Sequence, residues 1–411
     1  MVDASRRSKR MVGIARHGRL KRSNPYASAL KAVAMVLAVA VVSTSSVAAM
    51  AVWSLNQKVD DNAIDITEGD SLAAEPELES YENGFNILLV GIDNDATQSA
   101  AYGERDATLN DVNILVHVSA DHNNAVVVSI PRDLIVPHPT CTDAESGDEF
   151  SAMAARPVNE AMSRGGLPCV VKTVSELTGL AIPYAGLISF DGVVHLSDAV
   201  GGVPICLDAA IKDPAAGLDL PAGTSIVAGD TALAFLRSRK GVGDRSDLAR
   251  ISSQQIYMAS LMRTVQGNGT LTNIPTLVNL ANAAASNIAL STSLANIDTM
   301  VSMALALKDI DLDRLLFVQY PGTTEDSDFP GKVVPIDAVA DEMFAKLAAD
   351  EPFALPGTTP TPAPTTDAPV PVETSPPSEP ALPTPEPTVQ ALDGLTGQTA
   401  QDDSCAQAFI G

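Results

Sequence analysis

Runs of apolar residues and the polar breaks between them divide this chain into zones. Ala32 to Leu55 is 24 residues without a charged side chain, long enough for a helix to cross about 30 Å of hydrocarbon. A basic polar arm, residues 1–31, precedes it, and Trp53 stands where an interfacial aromatic belongs. The pattern predicts a transmembrane helix over 32–55, with the arm cytoplasmic and the rest of the chain outside. A cleaved signal peptide is the competing reading, because Ala49-Met-Ala51 resembles a small-residue cleavage site. Residues 56–83 are polar, acidic and aperiodic and read as a stalk.

The folded part opens with Phe85-Asn-Ile-Leu-Leu-Val-Gly91, a short apolar run ended by glycine, which reads as a buried strand. Val112–Val118 is a second, and Asp121-His-Asn-Asn124 is turn chemistry leading to a third, Ala125–Ile130. These three are expected in the middle of one sheet. After Pro131, helices are expected at Val158–Arg164, Val170–Thr178, Val193–Ala199 and Asp230–Arg239, and extended segments at Ala185–Ser189 and Val203–Leu207. A long helix begins near Leu248, capped by Ser246 or Asp247, with Arg250 and Gln254 one turn apart on one face. Residues 264–297 carry no charge and read either as buried core helices or as the wall of an apolar groove. Asp337–Leu347 is the last expected helix. Strands and helices alternate, so the class is α/β or α+β.

From Glu351 the composition shifts. Residues 351–391 hold 13 of the 28 prolines and read as an extended linker that cannot bury a core. The tail, 392–411, contains Cys405 and is expected to be loose, with docking by a disulfide the alternative.

Charge adds a second picture. The net formal charge is -24; the arm holds nine of the 26 basic residues and one of the 50 acids, which leaves 17 against 49 beyond it. Such a body is a poor partner for nucleic acid. Yet Arg237, Arg239, Lys240, Arg245 and Arg250 fall within one short stretch. Guanidinium forks match phosphate or carboxylate, so this is a candidate anion site; a solvated face of salt bridges is the plainer alternative. Four cysteines lack zinc-site spacing. In an oxidising compartment they allow three disulfide connectivities, of which Cys141 with Cys169 is favoured.

Three further polar signals fall at strand ends: Asp93 after the first strand, Asp111 at the start of the second, and Arg132 after the third. Adjacent strands would bring them to one edge of the sheet, where α/β proteins place their sites. Carboxylates for a hard metal and guanidiniums for phosphate oxygens make a coherent kit.

The sequence resembles the LytR-CpsA-Psr (LCP) family of cell-wall glycopolymer ligases in its actinobacterial form, over about residues 84–350. The resemblance rests on NILLVGID, on ND before VNILVHV, and on VVVSIPRDLIVPHP. It continues through VVKTVSELTGL, ISFDGVVHLSDAVGGVPICL, GLDLPAG and ALAFLRSRKGVGDRSDLARISSQQ, in that order. It implies a single α/β domain in which a mixed, mostly antiparallel sheet and its helices enclose a hydrophobic polyprenyl channel. The implied reaction moves a phospho-glycopolymer from undecaprenyl pyrophosphate to a peptidoglycan hydroxyl. By the same resemblance Asp93 and Asp111 hold Mg²⁺ (or Mn²⁺), Arg132, Arg237, Arg239 and Arg250 grip the pyrophosphate, and Gln254 contributes to substrate binding. The chain has Leu109 where the family often has an arginine, and Arg105 is the residue placed to take over that contact. A lipid pyrophosphatase and a non-catalytic polyprenyl-binding regulator are the alternative functions. Arg250→Ala is expected to abolish transfer and spare the fold.

Overall fold

The computed structural model describes residues 57–59, 62–67, 84–93, 108–143, 146–267, 274–308, 310–357 and 389–409, with isolated helical positions at Tyr26, Met35, Ser43 and Met50. These fall into two compact units, 1–54 and 55–411. The expected membrane helix (but for three of those isolated positions), most of the stalk, Arg105 and the Pro-rich stretch 358–388 lie outside the described residues. Among the described residues no helix is long and apolar enough to cross a membrane.

The strands, in chain order, are β1 Phe85–Ile92, β2 Asn110–Val118, β3 Ala125–Ile130, β4 Tyr184–Ile188, β5 Val203–Leu207, β6 Gly223–Val227, β7 Ile288–Leu290, β8 Leu315–Gln319 and β9 Thr396–Thr399. The helices are α1 Met162–Thr178, α2 Phe190–Val200, α3 Gly229–Arg237, α4 Asp247–Gly267, α5 Ile274–Asn287, α6 Ile297–Lys308 and α7 Asp337–Ala348. Short ribbons such as Ile135–His138 paired with Met153–Pro157 complete the list.

Seven strands form one sheet in the order β7-β4-β1-β2-β3-β8-β9. The pairs β1–β2, β2–β3, β4–β7 and β8–β9 are antiparallel, while β1–β4 and β3–β8 are parallel. The expected three strands do sit at the centre, and all six residues of β3 are buried. Alternate residues of β1 and β2 serve two cores, as the pleat requires. Leu88, Val90 and Leu115 join Val170, Val174, Met343 and Phe344, on α1 and α7. Ile87, Ile114 and Val116 face Met258, Ala259 and Met262 of α4 and Met303 of α6. A third cluster packs the β5–β6 hairpin against α3 and the middle of α4 through Ile205, Phe235, Ile256 and Tyr257.

Several expectations change. Residues 158–164 are a short 3-10 turn, Val158–Glu160, followed by the start of α1. The helix is kinked at Gly165–Gly166, so that Pro168 falls in the first turn of the resumed segment, where its missing N–H costs nothing. Within the stalk, residues 62–67 are docked: Ile64 bonds Leu290 and Thr292 beside β7. The linker begins later and ends earlier than its composition suggested, because Phe353, Ala354 and Leu355 are buried and Ala354 bonds Gln390 and bridges Ala391. The tail is not loose. It supplies β9 and is tied by a Cys206–Cys405 disulfide, alongside the expected Cys141–Cys169.

Candidate active site

The β1–β2 ladder slips near its end: Gly91 pairs with Val112 but Ile92 pairs with Asn110. Asp111 is the extra residue of this bulge, and bulges re-aim side chains. Gly91 is required there, since a Cβ would lie 2.9 Å from that of Val112. Buried Asn110 braces the bulge from behind, donating to Val158 O at 3.2 Å and accepting from Met162 N at 3.2 Å.

Asp111 thereby meets Arg132, whose Nη1 donates to its Oδ1 at 2.7 Å. From α4, the Arg250 Nη2 donates to the Asp111 carbonyl at 3.0 Å and lies 2.9 Å from Asp247 Oδ1. The same Asp247 oxygen is 3.5 Å from Arg132 Nε and 3.9 Å from Arg239 Nε. Asp247 was a candidate helix cap; instead Ser246 caps α4, its Oγ accepting from Ala249 N at 3.1 Å. Asp247 is free to act as the buried counterion of three guanidiniums. Burial works against the charge of Arg132, but Asp111 and Asp247 outweigh it and its pKa is raised. Burial dominates at Arg250 and lowers its pKa, Asp247 opposing. Both arginines stay charged, since a guanidinium does not deprotonate in a protein.

Arg237 ends α3 with its guanidinium 4.3 Å from the Phe190 ring centroid, a cation–π contact. Gln254 donates to Leu236 O at 3.0 Å, so its amide ties α4 to the end of α3. Buried Asp213 holds the start of the arginine loop, accepting from Ser238 Oγ at 2.9 Å, Lys240 N at 3.0 Å and Arg239 N at 3.2 Å. Sequence reasoning missed Asp213 and Asn110, because nothing in their local patterns marks them.

Several of these groups line a cleft of about 660 Å³ between the sheet and helices α2, α3 and α4. Asp111, Arg132, Arg237, Arg239, Arg250 and Gln254 line it together with apolar Leu89, Ile114, Ile188, Phe190, Val193, Leu196, Val200, Leu233, Tyr257, Met258 and Leu261. Burial pushes the Tyr257 phenol up to about 12, so it stays neutral. Among the described residues, the uncharged stretch 264–297 gives the cleft Val265 and Leu280, and the rest of the described lining comes from other elements. Among the described side chains of α5, Ala285 alone is buried. Asp93 is completely buried at the end of β1 and does not line the cleft. Lys240 and Arg245 also lie outside it.

Four guanidiniums line the cleft; Asp111 meets Arg132, Asp247 is shared by Arg132, Arg239 and Arg250, and Asp133 lies 3.5 Å from Arg132 while Lys332 engages it at 2.6 Å. A cationic excess at the end of an apolar trough can hold an amphiphile with an anionic head.

Comparison with known proteins agrees. The LytR_cpsA_psr family model matches residues 42–344. The cell wall biosynthesis protein LcpA of Corynebacterium glutamicum is 30% identical over 297 residues, 66% of this chain and 56% of the relative. This chain therefore spans little more than half of that protein. The polyisoprenyl-teichoic acid–peptidoglycan teichoic acid transferase TagT of Bacillus subtilis is 26% identical over 313 residues, 74% of this chain and 90% of TagT. The crystal structure of gbs0355 from Streptococcus agalactiae shares the fold with a TM-score of 0.54 at 21% identity, covering 67% of this chain and 90% of its own. With the family model spanning most of the chain, the protein belongs to the LytR_cpsA_psr family.

Proposed function

We propose that the protein is a phosphotransferase that moves a phospho-glycopolymer from a polyprenyl pyrophosphate to a peptidoglycan hydroxyl. The observation that carries this reading is one cleft with an apolar body and an arginine end. The isoprenoid would occupy the trough walled by α2, α3 and α4, and the pyrophosphate would lie against Arg132, Arg237, Arg239 and Arg250. The chemistry of relatives named for cell wall biosynthesis and teichoic acid transfer supports the same substrates.

In the proposed reaction the acceptor hydroxyl attacks the phosphorus bearing the glycan. A new P–O bond forms, the bond to the bridging oxygen breaks, polyprenyl phosphate leaves with that oxygen, and the hydroxyl proton passes to solvent. Transfer of this kind needs positioning and charge neutralisation more than covalent help. The guanidiniums orient the pyrophosphate and stabilise charge on the leaving phosphate. The apolar walls keep the chain out of water.

Among the described residues no group of three or more His, Cys, Asp or Glu side chains is arranged to hold a metal ion. A single carboxylate in the cleft nonetheless suits Mg²⁺, which takes one or two carboxylates and completes its shell with water and phosphate oxygens. Asp111, which lines the cleft, would hold the ion, and when bound it would neutralise phosphate oxygens; Asp93, wholly buried and outside the cleft lining, does not fit as its partner in this arrangement. We further propose a single membrane anchor over 32–55 that places this domain outside the cell, where peptidoglycan lies.

The test is to incubate the full-length protein with Mg²⁺, a lipid-pyrophosphate sugar and peptidoglycan oligomers. A covalent sugar-phosphate–glycan product is expected. Free phosphosugar without that product would mean hydrolysis, and retained lipid with neither product would mean a binding protein; either outcome overturns the proposal.

A further inference from the structure

The family match ends at residue 344, yet the tail beyond it returns to the arginine loop. After β9 the chain runs between the end of β5 and residues 238–246. Ala406 N donates to Cys206 O at 2.9 Å, Gly243 N donates to Gln407 O at 3.0 Å, and Phe409 N donates to Gly241 O at 2.9 Å. Cys405 is bonded to Cys206 across a sequence separation of 199. The Arg245 guanidinium lies 3.5 Å from the Phe409 ring centroid, a cation–π contact.

The loop is one that needs holding. Gly243 and Arg245 have φ of 44° and 69°, and an arginine keeps a left-handed backbone only where its surroundings fix it. Asp213 secures the loop at its start and the tail secures its middle. Arg239 projects into the cleft from the same loop, 38% exposed and with only a long 3.9 Å approach to Asp247. Its position is therefore set by the loop backbone more than by its ion pair.

We propose that residues 405–409, closed by Cys206–Cys405, form a strap that positions the arginine loop for anion binding, with Phe409 a positioning residue acting through Arg245 and the loop backbone. The inference rests on reading the arginine end of the cleft as the pyrophosphate site.

Farnesyl pyrophosphate, which joins an isoprenoid to a pyrophosphate, serves as the probe. Its affinity and the amide hydrogen exchange of residues 239–245 are measured on the full chain for wild type, Phe409→Ala, Phe409→Tyr and the Cys206→Ser/Cys405→Ser double variant. Phe409→Ala and the double variant are expected to exchange faster at Gly243 and Arg245 and to bind about tenfold more weakly, the scale of one weakened charge-assisted contact. Exchange in β1 to β3 stays unchanged, and Phe409→Tyr restores both readouts. Unchanged loop exchange in Phe409→Ala overturns the strap, and so does faster exchange with undiminished affinity. Arg239→Ala separates the two ideas. If it binds as wild type, the pyrophosphate assignment falls, while loop exchange still reports whether the tail orders the loop.

Discussion

Asp247 is 6% exposed and its Oδ1 lies within 4 Å of three guanidiniums, so the site is poised with one carboxylate where an anionic ligand could bring more. Asp247→Asn removes that charge without changing shape. A buried cluster of like charges is then undercompensated, and loss of one partner of a buried pair costs about 3–5 kcal/mol. The variant is expected to melt earlier than wild type, and inorganic pyrophosphate is expected to raise its melting temperature by more than it raises the wild type's, because the stability that ligand binding adds to the native state grows with the logarithm of its affinity. Equal shifts in a thermal-shift assay would show that the arginines do not form an anion site. The same contacts revise the expectation for Arg250→Ala. Arg250 is 5% exposed, so its removal takes from buried Asp247 its nearest partner, at 2.9 Å, and harms the fold as well as transfer. Arg239, the more exposed, is the cleaner probe of binding alone.

At the scale of elements, apolar periodicity carried most of what could be read. The three central strands, the Val203–Leu207 strand and the helix beginning near Leu248 were legible because each buries one face or both, and burial selects apolar residues at the matching period. The clustering of Arg132, Arg237, Arg239 and Arg250 was legible because arginines are scarce in an acidic chain. The bulge that turns Asp111 into the cleft was not, since a register slip leaves no mark on composition. Nor was β9: Thr396-Gly-Gln-Thr399 has no apolar alternation and is chosen by the free edge of β8. Asp213 was hidden for a similar reason, as its partners on the arginine loop lie 25 to 27 residues away. Burial tends to raise its pKa, but the bonds from Ser238, Lys240, Arg239 and Ala216 prevail and the pKa is lowered. A carboxylate depressed in the folded state contributes stability above its unfolded pKa and loses it as pH falls through the folded value. Asp213→Asn is therefore expected to cost about 1–3 kcal/mol near neutrality, the scale of bonds to a charged group. That gap from wild type should narrow below about pH 4. Urea midpoints across that pH series measure it; a gap independent of pH would assign Asp213 a packing role only.

For the molecule as a whole, the two disulfides divide the labour differently. Cys141 and Cys169 are fully buried in the main core and join segments 28 positions apart, whereas Cys405 is exposed and joins the tail to β5 across 199 positions. In the chain-entropy account a loop of the shorter length restricts the unfolded state by about 3.5 kcal/mol and one of the longer length by about 5 kcal/mol. The exposed bond is thus worth at least as much as the buried one and is far more accessible to an attacking thiolate, whose reach governs exchange. Brief treatment of the native protein with dithiothreitol is expected to free Cys206 and Cys405 while Cys141–Cys169 stays closed, and to lower the urea midpoint in one step. The tail would then be held by β9, by the burial of Leu392, Leu395, Ala400, Ala406 and Ala408, and by its backbone bonds and the Phe409–Arg245 contact at the arginine loop. Two leucines alone bury enough apolar surface for about 3–6 kcal/mol, so the opened tail is expected to remain docked at low denaturant, with protection of β9 amides retained. Alkylation mapped by mass spectrometry decides the order: label appearing first at Cys141 or Cys169 would mean that the core, not the tail, is the part of this molecule that opens most readily.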